Sequence, residues 1–150
     1  MKKFFAVCLS LCLAIALCAV PAFADGDVAQ VEGGNTYPTL QQAIDDVSGS
    51  GKVTLLKDTA EDITIASGKT IELVLNAKLT NFSGHTIVVK DRGNLTISGS
   101  GTVDNTTHQR AAIDNEIGGV VVLNGGTYTQ CRDGRQPTQG AQIRFTPFAT

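Results

Sequence analysis

Disulfide chemistry has little to work with in this 150-residue chain. Of its four cysteines, Cys8, Cys12 and Cys18 lie within the first 20 positions and Cys131 stands alone. A domain built from the later residues must hold together through its core rather than through internal cross-links. Basic clusters are missing too. The balance of 12 Lys and Arg against 14 Asp and Glu carries no electrostatic footprint of a nucleic-acid binder. There is no Gly-x-Ser-x-Gly turn, no phosphate-cradling glycine loop and no Cys-x-x-Cys pair, so the signatures of serine hydrolases, nucleotide enzymes and thiol redox proteins are absent. Beyond Val20 there is no second long hydrophobic run and no sorting signal. No stable membrane span is expected after the N-terminus.

The N-terminus itself has a basic start at Lys2 and Lys3, an apolar run from Phe4 to Val20 and the small-residue ending Ala22-Phe23-Ala24. That order reads as a secretory signal peptide over residues 1–24, cleaved after Ala24. As a membrane anchor the run is slightly short, and a lipid anchor at Cys18 is disfavoured by the bulky Leu17 before it. Cleavage removes two lysines and no acidic residue, moving the net charge from −2 to −4. Residues 25–150 suffice for one domain. An exported domain without an internal disulfide suits a bacterium better than an animal secretory pathway.

Residues 25–38 carry Gly33 and Gly34 and little periodicity, as a leader or first edge strand would. A helix is expected over 39–48. Thr39 as N-cap with Gln42 three positions on makes a capping box, and Leu40, Ala43, Ile44 and Val47 share one face. Ser48, Gly49, Ser50 and Gly51 end it. Placed before an array of strands, this helix would cover the unpaired backbone and apolar side chains of the open end.

From Lys52 the chain repeats. Three columns recur at a period of 24: Val53 and Leu55 with Ala77 and Leu79, then Gly101 and Val103; Ile63 and Ile65 with Ile87 and Val89, then Ala111 and Ile113; Ile71 and Leu73 with Leu95 and Ile97. Each i, i+2 pair puts two side chains on one face of a strand. Polar alternates such as Thr64 and Thr96 face outward, and turn clusters fall at 66–69, 90–93, 98–101 and 124–126. After Ile113 the register loosens, with Ile97 mapping to Leu123 and Val103 to Tyr128, which extra residues at Asn115–Gly118 would explain. Three short strands per coil, stacked over residues 52–129, predict an all-β parallel solenoid. An antiparallel sandwich would also supply short strands and Gly-rich turns, but it has no reason to keep three columns in one register.

The expected helix from Thr39 to Val47, the phrases Gly51 to Asp58 and Ile63 to Leu73, and the coil-ending phrases Gly99 to Val103 and Asn124 to Tyr128 closely resemble right-handed parallel β-helix proteins of the pectate lyase-like superfamily. The likeness spans Thr36 to about Thr129 and is closest to the N-terminal portion of long repetitive surface proteins of bacteria. It implies a right-handed solenoid. For function it implies little, since that superfamily holds lyases, hydrolases, adhesins and tailspikes.

The 24-residue register puts Asp91 and Arg92 in the same corner as Asp114, Asn115 and Glu116 one coil later, about 4.8 Å away. Stacked carboxylates of Asp91, Asp114 and Glu116 make a calcium candidate. With a nearby arginine as base, the superfamily resemblance would imply lyase chemistry there, whereas the plain reading is a solvated corner with an Asp-Arg pair. No catalytic residue and no other cofactor is expected. The corner from Asp104 to Arg110 contains His108, with His85 nearly equivalent one coil earlier, but no third metal ligand is in view. Asn81, Asn94 and Asn105 head Asn-x-Ser/Thr triplets, read here as turn residues. Residues 130–150 turn arginine-rich, contain Pro137 and Pro147 and continue no column, as an irregular tail, a truncation or a shifted reading frame would. The expected role is a secreted or cell-surface module, structural, adhesive or glycan-binding, toward polysaccharide or host glycan and not nucleic acid. It is expected to be a fragment of a longer protein, the alternatives being a remnant of a polysaccharide-active enzyme or a degenerate product.

Overall fold

The computed structural model describes residues 26–107 and 110–130, and the backbone of a strand at 142–145. The expected signal peptide, His108, Gln109 and Cys131 lie outside the described residues. In chain order the elements are β1 (Ala29–Val31), β2 (Thr36–Tyr37), α1 (Leu40–Asp46), β3 (Ser50–Leu55), β4 (Thr59–Ala60), β5 (Ile63–Ile65), β6 (Thr70–Leu75), β7 (Lys78–Thr80), β8 (Ile87–Val89), β9 (Asn94–Gly99), β10 (Thr102–Asn105), β11 (Ile113–Asn115), β12 (Val120–Leu123), β13 (Thr127–Gln130) and β14 (Gln142–Phe145).

Strands recur in threes, and each pairs in parallel with its counterpart one coil on. Sheet A runs β14-β12-β9-β6-β3-β1-β2, sheet B β13-β10-β7-β4 and sheet C β11-β8-β5. The molecule is a parallel β-solenoid of about three coils. At the start of sheet A, β1 lies antiparallel to β3 and β2 antiparallel to β1, so the first coil is flanked by a short reversed ribbon. Among the described residues no helix is long and apolar enough to cross a membrane.

Inward positions of the three sheets fill one core. Leu55, Ile63, Ile65, Leu73, Leu75, Leu79, Ile87, Ile97 and Val103 are fully excluded from solvent, each contributing about 1.5–3 kcal/mol of burial. Stacked on neighbouring coils, these short strands need only one to three inward aliphatic side chains apiece. Leu40, Ala43, Ile44 and Val47 of the helical segment join the same core, so α1 covers the end of the stack as its apolar stripe requires. Thr39 is the N-cap, and its hydroxyl accepts from Gln42 N at 3.2 Å.

The first coil supplies the rest of the helix caps. Glu61 accepts from Leu40 N at 3.0 Å and Gln41 N at 3.1 Å, and Lys69 Nζ donates to the carbonyls of Ile44, Asp45 and Val47 at 2.7–2.9 Å. An anion at the N-terminus and a cation at the C-terminus both suit the helix dipole. The side-chain amide of Gln41 completes the arrangement. Its Oε1 accepts from Thr64 N at 2.7 Å and its Nε2 donates to Thr64 O at 3.2 Å, standing in for the strand that β5 lacks on that side.

Three details of the expected register are corrected. Val53 and Leu55 stack on Leu73 and Leu75, a step of 20, rather than on Ala77 and Leu79. Ile87 and Val89 stack on Ile113 and Asn115, a step of 26, rather than on Ala111 and Ile113. The insertion is not at Asn115–Gly118. It lies in the corner between sheets B and C, which lengthens from two residues (61–62) to six (81–86) to seven (106–112). A corner that grows displaces only the columns downstream of it, so a single fitted period misplaces them. The pairings of Ile71 and Leu73 with Leu95 and Ile97, of Ile97 with Leu123 and of Val103 with Tyr128 are as expected. Sheet A also continues past Thr129, against the reading that no column does: β14 pairs in parallel with β12, Ile143 opposite Val121 and Phe145 opposite Leu123.

Candidate functional site

Of the carboxylates expected to share a corner, Asp91 and Glu116 fall in equivalent turns and Asp114 does not. Because the step is 26, Asp114 lies opposite Val88 on β8. Each acid has a different neighbour. Asp91 lies 3.4 Å from Arg92 Nε, Glu116 is bonded to Lys90 Nζ, and Asp114 Oδ2 lies 3.8 Å from His85 Nε2. No group of three His, Cys, Asp or Glu side chains that would hold a metal ion occurs among the described residues. His85 is oriented by the coil above, since its Nδ1 lies 3.1 Å from Ala111 N and takes that proton as an acceptor.

The lengthening corner is instead a structural network. Asn81 and Asn105, 24 residues apart, are buried rather than displayed on a turn, which corrects their reading as simple turn residues. Asn105 Nδ2 lies 2.9 Å from Gly84 O, 3.1 Å from Ala111 O and 3.2 Å from Thr86 Oγ1. Asp62 holds the outside of the corner, accepting from Phe82 N, Ser83 N and Gly84 N. Burial pushes its carboxyl up, but these backbone donors and the Ser83 hydroxyl outweigh burial and hold it below the usual range. Asp104 follows the same logic more strongly. Burial opposes its charge, yet Lys78 at 2.8 Å, the Thr129 hydroxyl and Thr106 N bring it down to about 2. Tyr128 is pushed up to about 12 by burial, its hydroxyl donating to Gly125 O at 2.6 Å.

Among the described residues, the outer face of sheet A is open to a ligand. Lys52 on β3 lies opposite Glu72 on β6, and Glu72 opposite Thr96 on β9; beside them runs the row Ser50, Thr70 and Asn94. Glu32, just past β1, rises at one end. Glu32, Ser50, Lys52, Thr70, Glu72 and Thr96 line a shallow groove of about 410 Å³. Lys52 Nζ sits 3.7 Å from Glu32 Oε1 and 3.4 Å from Glu72 Oε1, all three side chains being partly or largely exposed. Such an arrangement can hydrogen-bond a polar chain laid across the strands. It presents no nucleophile paired with a base. These residues were outside the sequence-based candidates, because Lys52 and Glu72 are 20 apart and the 24-residue period does not align them.

No family model, curated protein or solved structure matches the chain. The fold assignment therefore rests on the strand pairing itself.

Proposed function

We propose that this chain is a secreted or cell-surface solenoid module with a structural or adhesive role, binding glycan on the outer face of sheet A. We further propose that it is allied to the right-handed parallel β-helix proteins of the pectate lyase-like superfamily, on the strength of the phrases from Thr36 to Thr129. The observation that carries the binding reading is the groove over β3, β6 and β9, where hydroxyls and paired charges stand in register on adjacent strands. Hydroxyl-rich ligands are matched by hydroxyl, ammonium and carboxylate groups on a rigid sheet, each able to exchange hydrogen bonds with them. The N-terminal sequence supports export. The separate pairing of Asp91, Asp114 and Glu116 with Arg92, His85 and Lys90 favours binding over catalysis.

The test is electrophoresis of the folded protein through native gels cast with individual soluble polysaccharides. Retardation in at least one, weakened by Thr96→Val, is the expected result; unchanged mobility in all of them removes the reading. Export is checked separately by the mass of the protein recovered outside the cell, which should begin at Asp25.

A further inference from the structure

The groove's charge pattern bears on which glycan it takes. Two carboxylates, Glu32 and Glu72, face a single ammonium, Lys52, leaving one negative charge unbalanced. Both Lys52 separations exceed the roughly 2.7–2.9 Å of a direct charge-assisted bond, so the three groups keep hydrogen-bonding capacity for a ligand hydroxyl. A sugar hydroxyl both donates and accepts. It can satisfy a carboxylate and the ammonium in turn, and the hydroxyls of Thr96 in the same row and Thr70 in the next extend the pattern. A uronate instead brings a further carboxylate beside Glu32 and Glu72, with only Lys52 to offset three anions. The field of the rest of the molecule adds to this, since acidic residues outnumber basic ones, 14 to 12 over the whole chain.

We infer that the groove selects uncharged, polyhydroxylated glycans, laid across the strands along the stack, and discriminates against polyuronates. The inference rests on the glycan-binding reading above. It departs from the acidic-substrate chemistry that a calcium-bearing corner would have served.

Binding of the folded full chain to an uncharged glucan and to polygalacturonate of matched length, measured by calorimetry at low salt, separates the possibilities. The uncharged chain should bind at least about fivefold more tightly, the effect of roughly one exposed like-charge contact, and the gap should narrow as salt is raised. Glu32→Gln with Glu72→Gln, both at exposed positions, should improve polygalacturonate binding while circular dichroism stays unchanged. Equal or tighter binding of polygalacturonate by the unaltered protein overturns the inference and leaves glycan binding standing. Failure to bind either glycan, or any other polysaccharide in the gel panel, removes the binding reading and the inference with it.

Discussion

Two corners of each coil solve the same problem in different ways. The corner from sheet C to sheet A keeps its length in all three coils, and each copy closes on one backbone hydrogen bond: Lys69 N to Ala66 O, Gly93 N to Lys90 O and Gly119 N to Glu116 O, at 2.8–3.1 Å. The third turn residue has positive φ every time, at Gly68 (78°), Arg92 (59°) and Gly118 (88°). The corner from sheet B to sheet C grows with each coil, and side chains close it: Asp62 from below, then Asn105, whose two amide hydrogens are shared among three acceptors. Where the backbone can satisfy itself, little is asked of the sequence beyond a residue that tolerates positive φ. A lengthened chain leaves backbone groups that only polar side chains can reach.

The sharpest way to break this contrast is Asn105→Ala. It removes the donor of Ala111 O and Thr86 Oγ1 in a buried site and of Gly84 O at its part-buried edge, where Asn81 Nδ2 still donates, so a loss of about 3 kcal/mol is expected. The midpoint of urea unfolding measures it. A loss below about 1 kcal/mol would mean that the corner is held by its backbone alone, like its neighbour.

Acid is the next largest perturbation, through Asp104, where the lengthening corner leaves sheet B. Its carboxyl is lowered from 3.8 to about 2 in the folded chain, so its stabilisation is fully present above the unfolded value and disappears as pH falls through the folded one. The amount at stake is about 2 kcal/mol. Unfolding midpoints should therefore fall between about pH 5 and 2, and Asp104→Asn should flatten that fall while lowering stability at neutral pH. A variant whose acid profile superimposes on that of the unaltered protein would remove Asp104 from the account.

These two corners also mark the limit of what the sequence makes legible. Inward aliphatic pairs such as Ile71 and Leu73 announce themselves by alternation, and the turn phrase recurs at 66–69 and 90–93, so the stacked coils and the capping helix could be read directly. The third turn, Glu116–Gly119, carries Ile117 and Gly118 where the second carries Asp91 and Arg92, so its sequence does not announce that the two occupy the same backbone. The growing corner hid the true steps of 20 and 26. It also concealed the groove row Lys52, Glu72 and Thr96, and it gave Asn81 and Asn105 the appearance of turn residues. Pairing across coils is a tertiary property, and polar residues carry no periodic hydrophobic signal by which to find it.

Lys69 joins the constant corner to the helix that closes the stack. Its three bonds to the carbonyls of Ile44, Asp45 and Val47 satisfy groups that a seven-residue helix leaves unpaired at its end. Lys69→Met keeps most of the apolar stem and removes the charge, and a loss of about 1–2 kcal/mol is expected. Hydrogen exchange should quicken first in α1 and reach β6 last. Uniform acceleration across all coils would show that the helix is not a separate cap but part of one cooperative unit.

The smallest effect has the opposite sign. Among the described residues only Arg92 combines a side chain with positive φ, at the position where the coils before and after it place Gly68 and Gly118. Its guanidinium, largely exposed, lies 3.4 Å from Asp91, a contact that surface screening leaves nearly without weight. Arg92→Gly therefore relieves backbone strain and loses little, and it should raise stability by about 1 kcal/mol. Glycine also enlarges the freedom of the unfolded chain, which subtracts a few tenths of a kcal/mol and keeps the net gain small. Arg92→Ala separates the two contributions, since it discards the Asp91 contact but keeps the strain. If alanine and glycine raise the midpoint equally, the charge was the cost; if only glycine does, the constant corner is constrained by its φ angle, and its tolerance of varied side chains ends at that one residue.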